Sequence, residues 1–493
     1  MAKFIFSRRS FIKMACLGSI AIIKGCRSPE DSYPISEPGP KPYIPFRDIT
    51  WEDIYTDEVY DHYNGIFPNE NNYANKVYID PEYKGGDSDG TIEKPLTSLL
   101  DIKTAKDTAY LVKRGTTHSI DGPYRHTIAA ENIMVGAYGE GQRPEITDRG
   151  IELKGLGNVF RDIVCDGVSL GSYGDPDGDE SILFNVKTKG IAVWSRNNKI
   201  IGCEVTEAST NGIFIQQRDM DQDSDMEIAY CYIHKINQLW FGPPRQNQTV
   251  ASGDCIQLGT SFRGDFWLHH NILDRSDTGN KFCIICNIIG YDSPVTGTIE
   301  NNLCFGPMSD PDSGNIIYLE QGDDYIGPFT IRNNILVGTY DDESGRWTGG
   351  GIVLRGASAN IYGNIIKNVN TALSMSNDAG ALNYFYNNTV VDITGQNIMS
   401  APLTALHNNI FESNSYYIGD AIQENNIFLD TESHKPENIF KAPEEEDYRL
   451  KKDSPAINAG VWKEYMHDNW EKDMLGHVIP HDDTIDIGAI QYN

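Results

Sequence analysis

The feature that most constrains the fold is a repeated phrase, a short apolar strand with Asn or Cys at one fixed position. Its successive members are spaced 38, 28, 40, 31, 32, 30, 24 and 21 residues apart. Those members are Cys165, Cys203, Cys231, Asn271, Asn302, Asn334, Asn364, Asn388 and Asn409. A second apolar column adds another strand to most repeats, at Ile191, Ile213, Ile256, Ile284, Ile316, Ile352 and Leu373. Self-similarity at this period is typical of a repeat architecture.

Most repeats leave no room for a helix between their strands, so the sequence predicts an all-β solenoid, a parallel β-helix. Equivalent positions on successive turns of such a coil lie about 4.8 Å apart. We therefore expect each inward Asn to bond the Asn above and below it, with Cys as a small apolar substitute. The spacings of 38 and 40 predict long loops on the early turns, and residues 97–106 are expected to form a helix that caps the open N-terminal end.

The first 26 residues differ from this body and are predicted to be an export signal rather than structure. The run Ser7-Arg8-Arg9-Ser10-Phe11-Ile12-Lys13 resembles a twin-arginine translocation signal, and Cys26 after Gly25 resembles the lipidated cysteine of bacterial lipoproteins. Lys24 departs from the usual lipoprotein pattern, and a plain secretory peptide is the alternative. The resemblance implies an exported chain, lipid-anchored through Cys26 to the membrane of the bacterial cell envelope. Residues 27–75 are then a tether and N-terminal segment.

Charge and cysteine content limit the partners and cofactors. Lys and Arg number 41 against 70 Asp and Glu, and the net charge of −29 argues against a nucleic-acid partner. Seven cysteines follow the leader, an odd number that excludes a complete disulfide framework. Cys283-x-x-Cys286 lies in an apolar run without a second pair, so core packing is favoured over metal binding. A monomer is expected.

Three segments carry a family resemblance: residues 77–95, with the runs VYIDP and GDSDGT, the Asn-containing turns, and residues 454–489, with SPAINAG and DIGA. In these segments the chain resembles the secreted right-handed parallel β-helix proteins, which include pectate lyases, other polysaccharide lyases and some glycoside hydrolases. The resemblance implies a right-handed β-helix with an N-terminal cap over residues 76–440. It also implies that residues 441–493 close the same domain.

The first candidate site joins the run SGDCIQL at residues 252–258 to residues 274–281. Asp254 and Lys281 are 27 residues apart, about one turn, so they are expected on one face. This pairing is similar to that of the calcium-dependent pectate lyases, which place acidic ligands and a lysine base on adjacent turns. The resemblance implies calcium ligands at Asp254, Asp274 and Asp277, with Lys281 removing the C5 proton of a uronate and Gln257 binding substrate. The alternative is that the two later aspartates cap turns.

A second column places Thr206, His234 and Asp274 in register, followed by Glu207, Lys235 and Arg275. His234 is a candidate for the catalytic acid or base. Arg275 is a candidate for binding a substrate carboxylate, and Glu207 is a candidate for a further contact with the substrate. A solvated mixed-charge face is the alternative.

Two further segments are candidates for binding. Trp240, in the longest insertion, either stacks on a sugar ring or is buried over the coil. Residues 219–227 carry acidic groups at every second position, which fits either a calcium site or a solvated loop.

Taken together, these features predict an enzyme that degrades an acidic polysaccharide by calcium-assisted β-elimination. Two alternatives stay open. A glycoside hydrolase would use Asp254 with Asp274 or Asp277 as its carboxylate pair. A non-catalytic surface lipoprotein would use the same face only to hold a glycan.

Overall fold

The described part of the chain is almost entirely β structure. The computed structural model describes residues 44–121, 125–216, 222–236, 253–259, 262–276, 282–288, 295–306, 314–321, 326–341, 346–376, 382–399, 403–413, 421–466, 470–481 and 484–492. Three long parallel sheets run along the molecule, and each pairs a strand with its equivalent in the next turn. Among the described residues, no helix is long and apolar enough to cross a membrane. The prediction of a parallel β-helix is confirmed.

From Thr108–Lys113 to Gln396–Met399 the chain visits the three sheets in the same order in each turn, so their strands alternate along the sequence. The first sheet contains Asn75–Ile79, Thr108–Lys113, Ile133–Tyr138, Val159–Arg161, Ile182–Phe184, Lys199–Ile201, Ser224–Ala229, Gly264–His269, Val295–Glu300, Ile326–Arg332, Ala357–Tyr362, Tyr384–Tyr386, Ala405–His407 and Ile422–Glu424. The second contains Thr117–Ser119, Glu145–Thr147, Val164–Cys165, Lys187–Thr188, Glu204–Thr206, Tyr232–His234, Ile272–Asp274, Leu303–Phe305, Ile335–Val337, Ile365–Lys367, Thr389–Val391, Ile410–Phe411 and Ile427–Phe428. The third contains His126–Ala129, Ile151–Lys154, Val168–Leu170, Ile191–Val193, Ile213–Ile215, Ile256–Leu258, Ile284–Ile288, Asn315–Gln321, Arg346–Arg355, Val369–Ser376 and Gln396–Met399, with Tyr340–Asp341 antiparallel to Arg346–Arg355.

Few other elements accompany the sheets in the described ranges. A small antiparallel pair joins Phe440–Ala442 to Asp447–Leu450. The α-helices are Trp51–Ile54, Asp57–Ile66 and Pro436–Ile439. Single 3-10 turns occupy Phe46–Asp48, Glu70–Asn72, Leu99–Asp101, Glu432–His434 and Pro443–Glu445. The capping helix predicted over residues 97–106 is wrong, because only the 3-10 turn forms there. Its Leu99 N–H instead donates to the His118 ring at 2.8 Å.

The inward asparagines form the predicted ladder between the first and second sheets. Asn364 is fully buried, and its Oδ1 accepts from the backbone N–H and the side chain of Asn334, both at 2.9 Å. Its own Nδ2 donates to Asn388 at 3.0 Å and to the Ile331 carbonyl at 2.8 Å. The same bonding links each pair of successive members, Asn271, Asn302, Asn334, Asn364, Asn388, Asn409 and Asn426. Each amide thus satisfies the donors and acceptors of a turn where the backbone changes direction.

The cysteines at this position substitute as expected. The Cys231 thiol lies 3.5 Å from the Ile200 carbonyl, the contact that the Asn271 amide makes with Ile228 one turn later. All seven body cysteines are buried and unpaired by disulfides. Burial raises the pKa of the Cys165 thiol to about 12. These thiols are therefore neutral core groups.

Cys165 itself does not belong to the column, which corrects the predicted alignment. Strand pairing places Cys165 beside Thr188 and Thr188 beside Val205, two residues beyond Cys203. Two turns, of 23 and 17 residues, therefore separate Cys165 from Val205, and the spacing of 38 between Cys165 and Cys203 is not a single turn. The spacing of 40 is a single turn, since Ile228 pairs with Leu268.

Residues 46–73, here called the N-terminal strap, lie along the outside of the coil. Within the range assigned to a tether, Phe46 is already buried. The strap runs from the last turns toward the first, against the direction of the coil. Its aromatic contacts, in order, are Phe46 with Tyr448, Trp51 with Tyr232, Tyr60 with Phe184, and Tyr73 with the cluster of Ala109 and Met134. The strap thereby joins turns that do not touch each other.

The C-terminal segment, residues 456–492, is held by residues that precede the ladder. Asn333, Asn387 and Asn408 have φ near +50°, a left-handed conformation that Asn tolerates. Their outward amides bind the segment: Asn387 donates to the Asp486 carbonyl at 2.7 Å, and Asn408 donates to the Val461 carbonyl at 3.0 Å. The Asn-Asn pairs that begin at Asn333, Asn387 and Asn408 therefore have one inward member for the ladder and one outward member for the closing segment.

His407, beneath this segment, should make stability depend on pH. The ring is 2% exposed, packs near Tyr465 and Tyr386, and lies 3.8 Å from Glu424, which binds Lys463. Burial lowers the pKa of His407, so the unfolded chain takes up this proton first as the pH falls. We expect the melting temperature to drop between about pH 7.5 and about pH 5.5, and to drop less in His407→Phe. Equal drops, measured by circular dichroism, would contradict this assignment.

Candidate functional site

The third sheet presents a row of outward side chains that crosses successive turns. Its inward residues, such as Ile256 and Leu258, are fully buried, whereas the residue between them, Gln257, is half-buried. Strand pairing places the outward positions in register, giving the outer row Ala192, Phe214, Gln257, Ile285, Tyr318 and Val353. We take this face as the candidate site because it combines aromatic, amide and charged groups on one surface.

Aromatic rings occupy one end of the outer row. Trp194 packs edge-on against Phe214, with ring centroids 5.7 Å apart, and Tyr173 packs edge-on against Trp194 at 5.4 Å. Tyr173 is 60% exposed and Trp194 is partly exposed. Such rings offer flat apolar surfaces next to polar groups, a combination that suits the face of a sugar.

A polar notch lies in the middle of the row and contains two of the predicted residues. Asp254 is fully buried, its N–H donates to Asn211 Oδ1 at 3.2 Å, and its own Oδ1 accepts from the Phe282 N–H at 3.2 Å. The Asn211 amide also donates to Gln257 Oε1. Asn211 thus connects Asp254 with Gln257.

The other end of the row carries an aromatic pair and an exposed cation. Phe282 stacks on Tyr318 with centroids 4.8 Å apart, and the Arg355 guanidinium lies over the Tyr318 ring at 5.4 Å. Burial raises the pKa of Tyr318 strongly, so its hydroxyl is neutral. The Arg355 side chain is 57% exposed and 4.0 Å from Glu320. Arg355 is therefore placed to meet an anionic group from solvent.

Arg275, predicted to grip substrate, is fully buried. Its Nη1 donates to the Ile236 carbonyl at 3.4 Å, and its charge acts to lower the pKa of the Cys255 and Cys283 thiols against the larger effect of burial. In this position the guanidinium stabilises the coil next to the notch, and a substrate carboxylate cannot reach it.

The calcium site has weak support from the described residues. Asp274 Oδ1 accepts from the Ser276 N–H at 2.8 Å and from its hydroxyl at 2.6 Å, which is the turn-capping alternative. Asp254 is buried against Phe282, and Asp277 lies outside the described residues. Within the described ranges no group of three or more His, Cys, Asp or Glu is placed to hold a metal ion. Because one of the three proposed ligands lies outside the described residues, calcium stays a prediction.

The second predicted column is in register but on another sheet. Thr206 pairs with His234, and the His234 ring stacks on Tyr232 at 4.0 Å and lies 3.2 Å from Glu204. This contact with His234, aided by Lys187, lowers the pKa of Glu204. Glu207 is exposed just beyond its strand. His234 and Glu207 therefore belong to the second sheet and are separated from Gln257 on the third.

The remaining predicted residues are Lys281, Trp240 and Cys26, which lie outside the described residues. The predicted acidic loop is partly a strand, because Ser224–Ala229 belongs to the first sheet. There, Glu227 pairs with Lys199 and His269, and these partners hold the pKa of Glu227 at about 2 against the opposing effect of burial. Asp223 pairs with Arg263 at 2.6 Å. The described half of this segment is thus committed to ion pairs.

Sequence reasoning missed Trp194, Phe214, Phe282, Tyr318 and Arg355. The signal for Phe214 was its outward position beside Ile213 of the second apolar column. Tyr318 was obscured because strand pairing makes Ile317, and not the predicted Ile316, the member of that column. Arg355 follows Ile352 by three residues, on the same side as Val353.

Comparison with known proteins adds only distant likenesses. No protein-family model and no curated protein matches the chain. Among solved structures, the pectate lyase Pel9A is 13% identical over 85% of this chain and 97% of its own, with a TM-score of 0.43. The PL6 family alginate lyase AlyGC is 14% identical over 71% of this chain and 51% of its own, with a TM-score of 0.45. The GH136 lacto-N-biosidase from Eubacterium ramulus is 12% identical over 71% of this chain and 68% of its own, with a TM-score of 0.38. Because these TM-scores are low, the fold is assigned from the three parallel sheets. The proposed function is argued from the geometry of the candidate site.

Proposed function

We propose that the chain is an enzyme that degrades an acidic polysaccharide by β-elimination on the outer face of its third sheet. The observation that carries this proposal is the outer row, where the notch of Asn211, Asp254 and Gln257 lies between an aromatic end and the exposed Arg355. An extended polymer fits this arrangement better than a compact ligand does, because the groups are spread over successive turns.

The spacing of the coil supports a polymeric substrate. Neighbouring strands lie about 4.8 Å apart, similar to the length of one sugar unit in an extended chain. Gln257 and Tyr318 are two turns apart along the row, and the cation at Arg355 is on the turn after Tyr318. A glycan lying across the turns would meet the partly exposed Phe214 and Gln257 and the exposed Arg355, whereas the outward residues of the row between Gln257 and Arg355 are buried.

The proposed reaction needs one base and one cationic contact from the chain. A base removes the C5 proton of a uronate, the electron pair forms the C4–C5 double bond, and the C4–O bond to the neighbouring sugar breaks. The leaving oxygen takes a proton. We assign the base to Lys281, which directly precedes Phe282 in the sequence, and the carboxylate contact to Arg355. The Phe282 N–H donates to Asp254 of the notch. No step is assigned to calcium.

The proposal is tested by incubating the purified protein with pectate, alginate and other uronate polymers, with and without a calcium chelator. Elimination produces an unsaturated uronate that absorbs in the ultraviolet, and we expect this absorbance to rise. New reducing ends without the absorbance would favour hydrolysis instead. If neither the absorbance nor new reducing ends appear, glycan binding without cleavage is the remaining function for this surface.

Replacing Arg355 should weaken substrate binding more than catalysis. Without its guanidinium the substrate carboxylate loses a charge-assisted bond, so Arg355→Gln should raise KM about tenfold, with a smaller change in kcat. Arg355→Lys keeps the charge and should restore part of the affinity. Steady-state kinetics on the active polymer measure both constants. An unchanged KM in Arg355→Gln would remove this residue from the site.

A further inference from the structure

A cavity of about 310 Å³ opens beside the aromatic end of the outer row. Its walls include the Trp194 ring, Arg196 and three carboxylates, Asp175, Asp177 and Asp179. Trp194 lies two turns before the notch, since the residue before it, Val193, is in register with Ile215 and then Leu258. This corresponds to about 10 Å, within reach of a glycan chain that occupies the notch.

The rim of the cavity is a defined turn. Ser172 and Asp175 exchange backbone hydrogen bonds of 2.8 and 3.0 Å. Gly171 has φ of +70°, and a Cβ at Gly178 would lie 2.8 Å from the Gly171 nitrogen. Both positions need glycine, one for its backbone conformation and the other for the close approach. The two ends of the rim are thereby held together beside Trp194.

Two of the three carboxylates are already neutralised. Asp179 accepts from the Arg196 backbone N–H at 2.7 Å and from its Nε at 3.0 Å. Asp175 lies 3.1 Å from Lys154. Asp177 is exposed and makes no hydrogen bond or ion pair with any other described residue. The cavity thus offers an aromatic wall, one acceptor-only carboxylate and a net negative charge.

This chemistry selects against a uronate and in favour of a sugar without a carboxylate. A uronate in the cavity would face Asp177 with a like charge, which is unfavourable. A neutral pyranose would place its apolar face on the indole and donate its hydroxyls to the carboxylate. We propose that this cavity is a subsite for one neutral sugar, so that the substrate is a mixed polysaccharide with both neutral and acidic units. The conclusion about the substrate rests on the proposed function, whereas the binding of a neutral sugar does not.

Calorimetric titration of the whole protein tests the subsite without turnover. The probes are neutral xylo-, gluco-, galacto- and manno-oligosaccharides, with oligogalacturonate as the acidic comparison. We expect saturable binding of at least one neutral series, weakened about tenfold or more by Trp194→Ala and by Asp177→Asn. Oligogalacturonate binding should not weaken in Asp177→Asn, because this carboxylate would only repel a uronate. Asp430→Asn, an exposed aspartate far along the chain, is the matched control.

The outcomes separate this proposal from the proposed function. Asp177 is exposed, so its variant should fold normally, and Trp194→Phe retains a ring if Trp194→Ala is unstable. Absence of binding by all four neutral series would overturn the subsite. Unchanged affinity for the neutral sugars in both Asp177→Asn and Trp194→Ala would also overturn it, as would tighter binding of oligogalacturonate through Trp194. Failure of the lyase assay alongside neutral binding at Trp194 would instead reject the elimination reaction and leave the subsite intact.

Discussion

Asn364→Asp is expected to lower the free energy of unfolding by about 4 kcal/mol, because it reverses the polarity of a fully buried hydrogen-bonded group. The amide nitrogen of Asn364 faces three oxygens, those of Ile331, Tyr362 and Asn388, at 2.8 to 3.0 Å. A carboxylate of the same shape would present an acceptor to all of them. If protonated, it would donate only one hydrogen bond. Urea unfolding followed by circular dichroism measures the loss.

Two further variants distinguish the loss of the ladder hydrogen bonds from the general effect of replacing an asparagine. Asn364→Cys reproduces the arrangement at Cys231 and should cost less, since a thiol is neutral and makes a weak bond to the same kind of carbonyl. Asn425→Asp changes an exposed asparagine in the left-handed conformation and should stay within about 0.5 kcal/mol of the wild type. Equal urea midpoints for the aspartate variants at 364 and 425 would show that the ladder contributes no more than a surface amide.

Lys281→Ala is expected to reduce kcat on the active polymer by about a hundredfold or more, the usual effect of removing a positioned general base. The next residue in the sequence, Phe282, is fixed by its N–H bond to Asp254 and by its stacking on Tyr318, and the assignment of Lys281 rests on this adjacency in the sequence. Lysine acts as a base only when deprotonated, so the activity of the wild-type enzyme should fall as the pH is lowered. The pH profile of kcat measures this second property.

Lys235→Ala is the matched control, because Lys235 is an exposed lysine at the end of a second-sheet strand. It should retain full activity. Unchanged kcat in Lys281→Ala would assign the base elsewhere, while loss of activity in both variants would indicate a general effect of surface charge on an acidic chain.

The ladder could be predicted because its members face one another across a fixed distance. An inward Asn has few partners inside an apolar coil other than the next Asn, so a single column in the sequence implies the contact. The same argument failed for Arg275, since the residue after a strand lies at a bend where alternation no longer determines its direction. Cys165 was misaligned because two short turns together span nearly the length of one long turn.

The candidate site was harder to predict than the ladder. Asp254 and Gln257 lie within one repeat, so their association was visible in the sequence. Trp194 and Arg355 belong to different turns, and their place on one face depends on strand pairing across several loops of unequal length. The N-terminal strap carries no repeated phrase at all, and the partners of its aromatic residues are scattered from residue 109 to residue 448.

The direction of the N-terminal strap has a consequence for the order in which the molecule is completed. Phe46 is among the first residues of the folded body to be synthesised, yet its partner Tyr448 is among the last. Successive turns can stack on one another as they are made, because each contacts only its neighbours. The strap can make all of its contacts only after the whole coil has formed. It then joins the first turns, through Tyr73, to the C-terminal part of the molecule, through Phe46. A chain truncated before Tyr448 would keep its stacked turns but would lack the contact between Phe46 and Tyr448, which forms only after the last turns have been made.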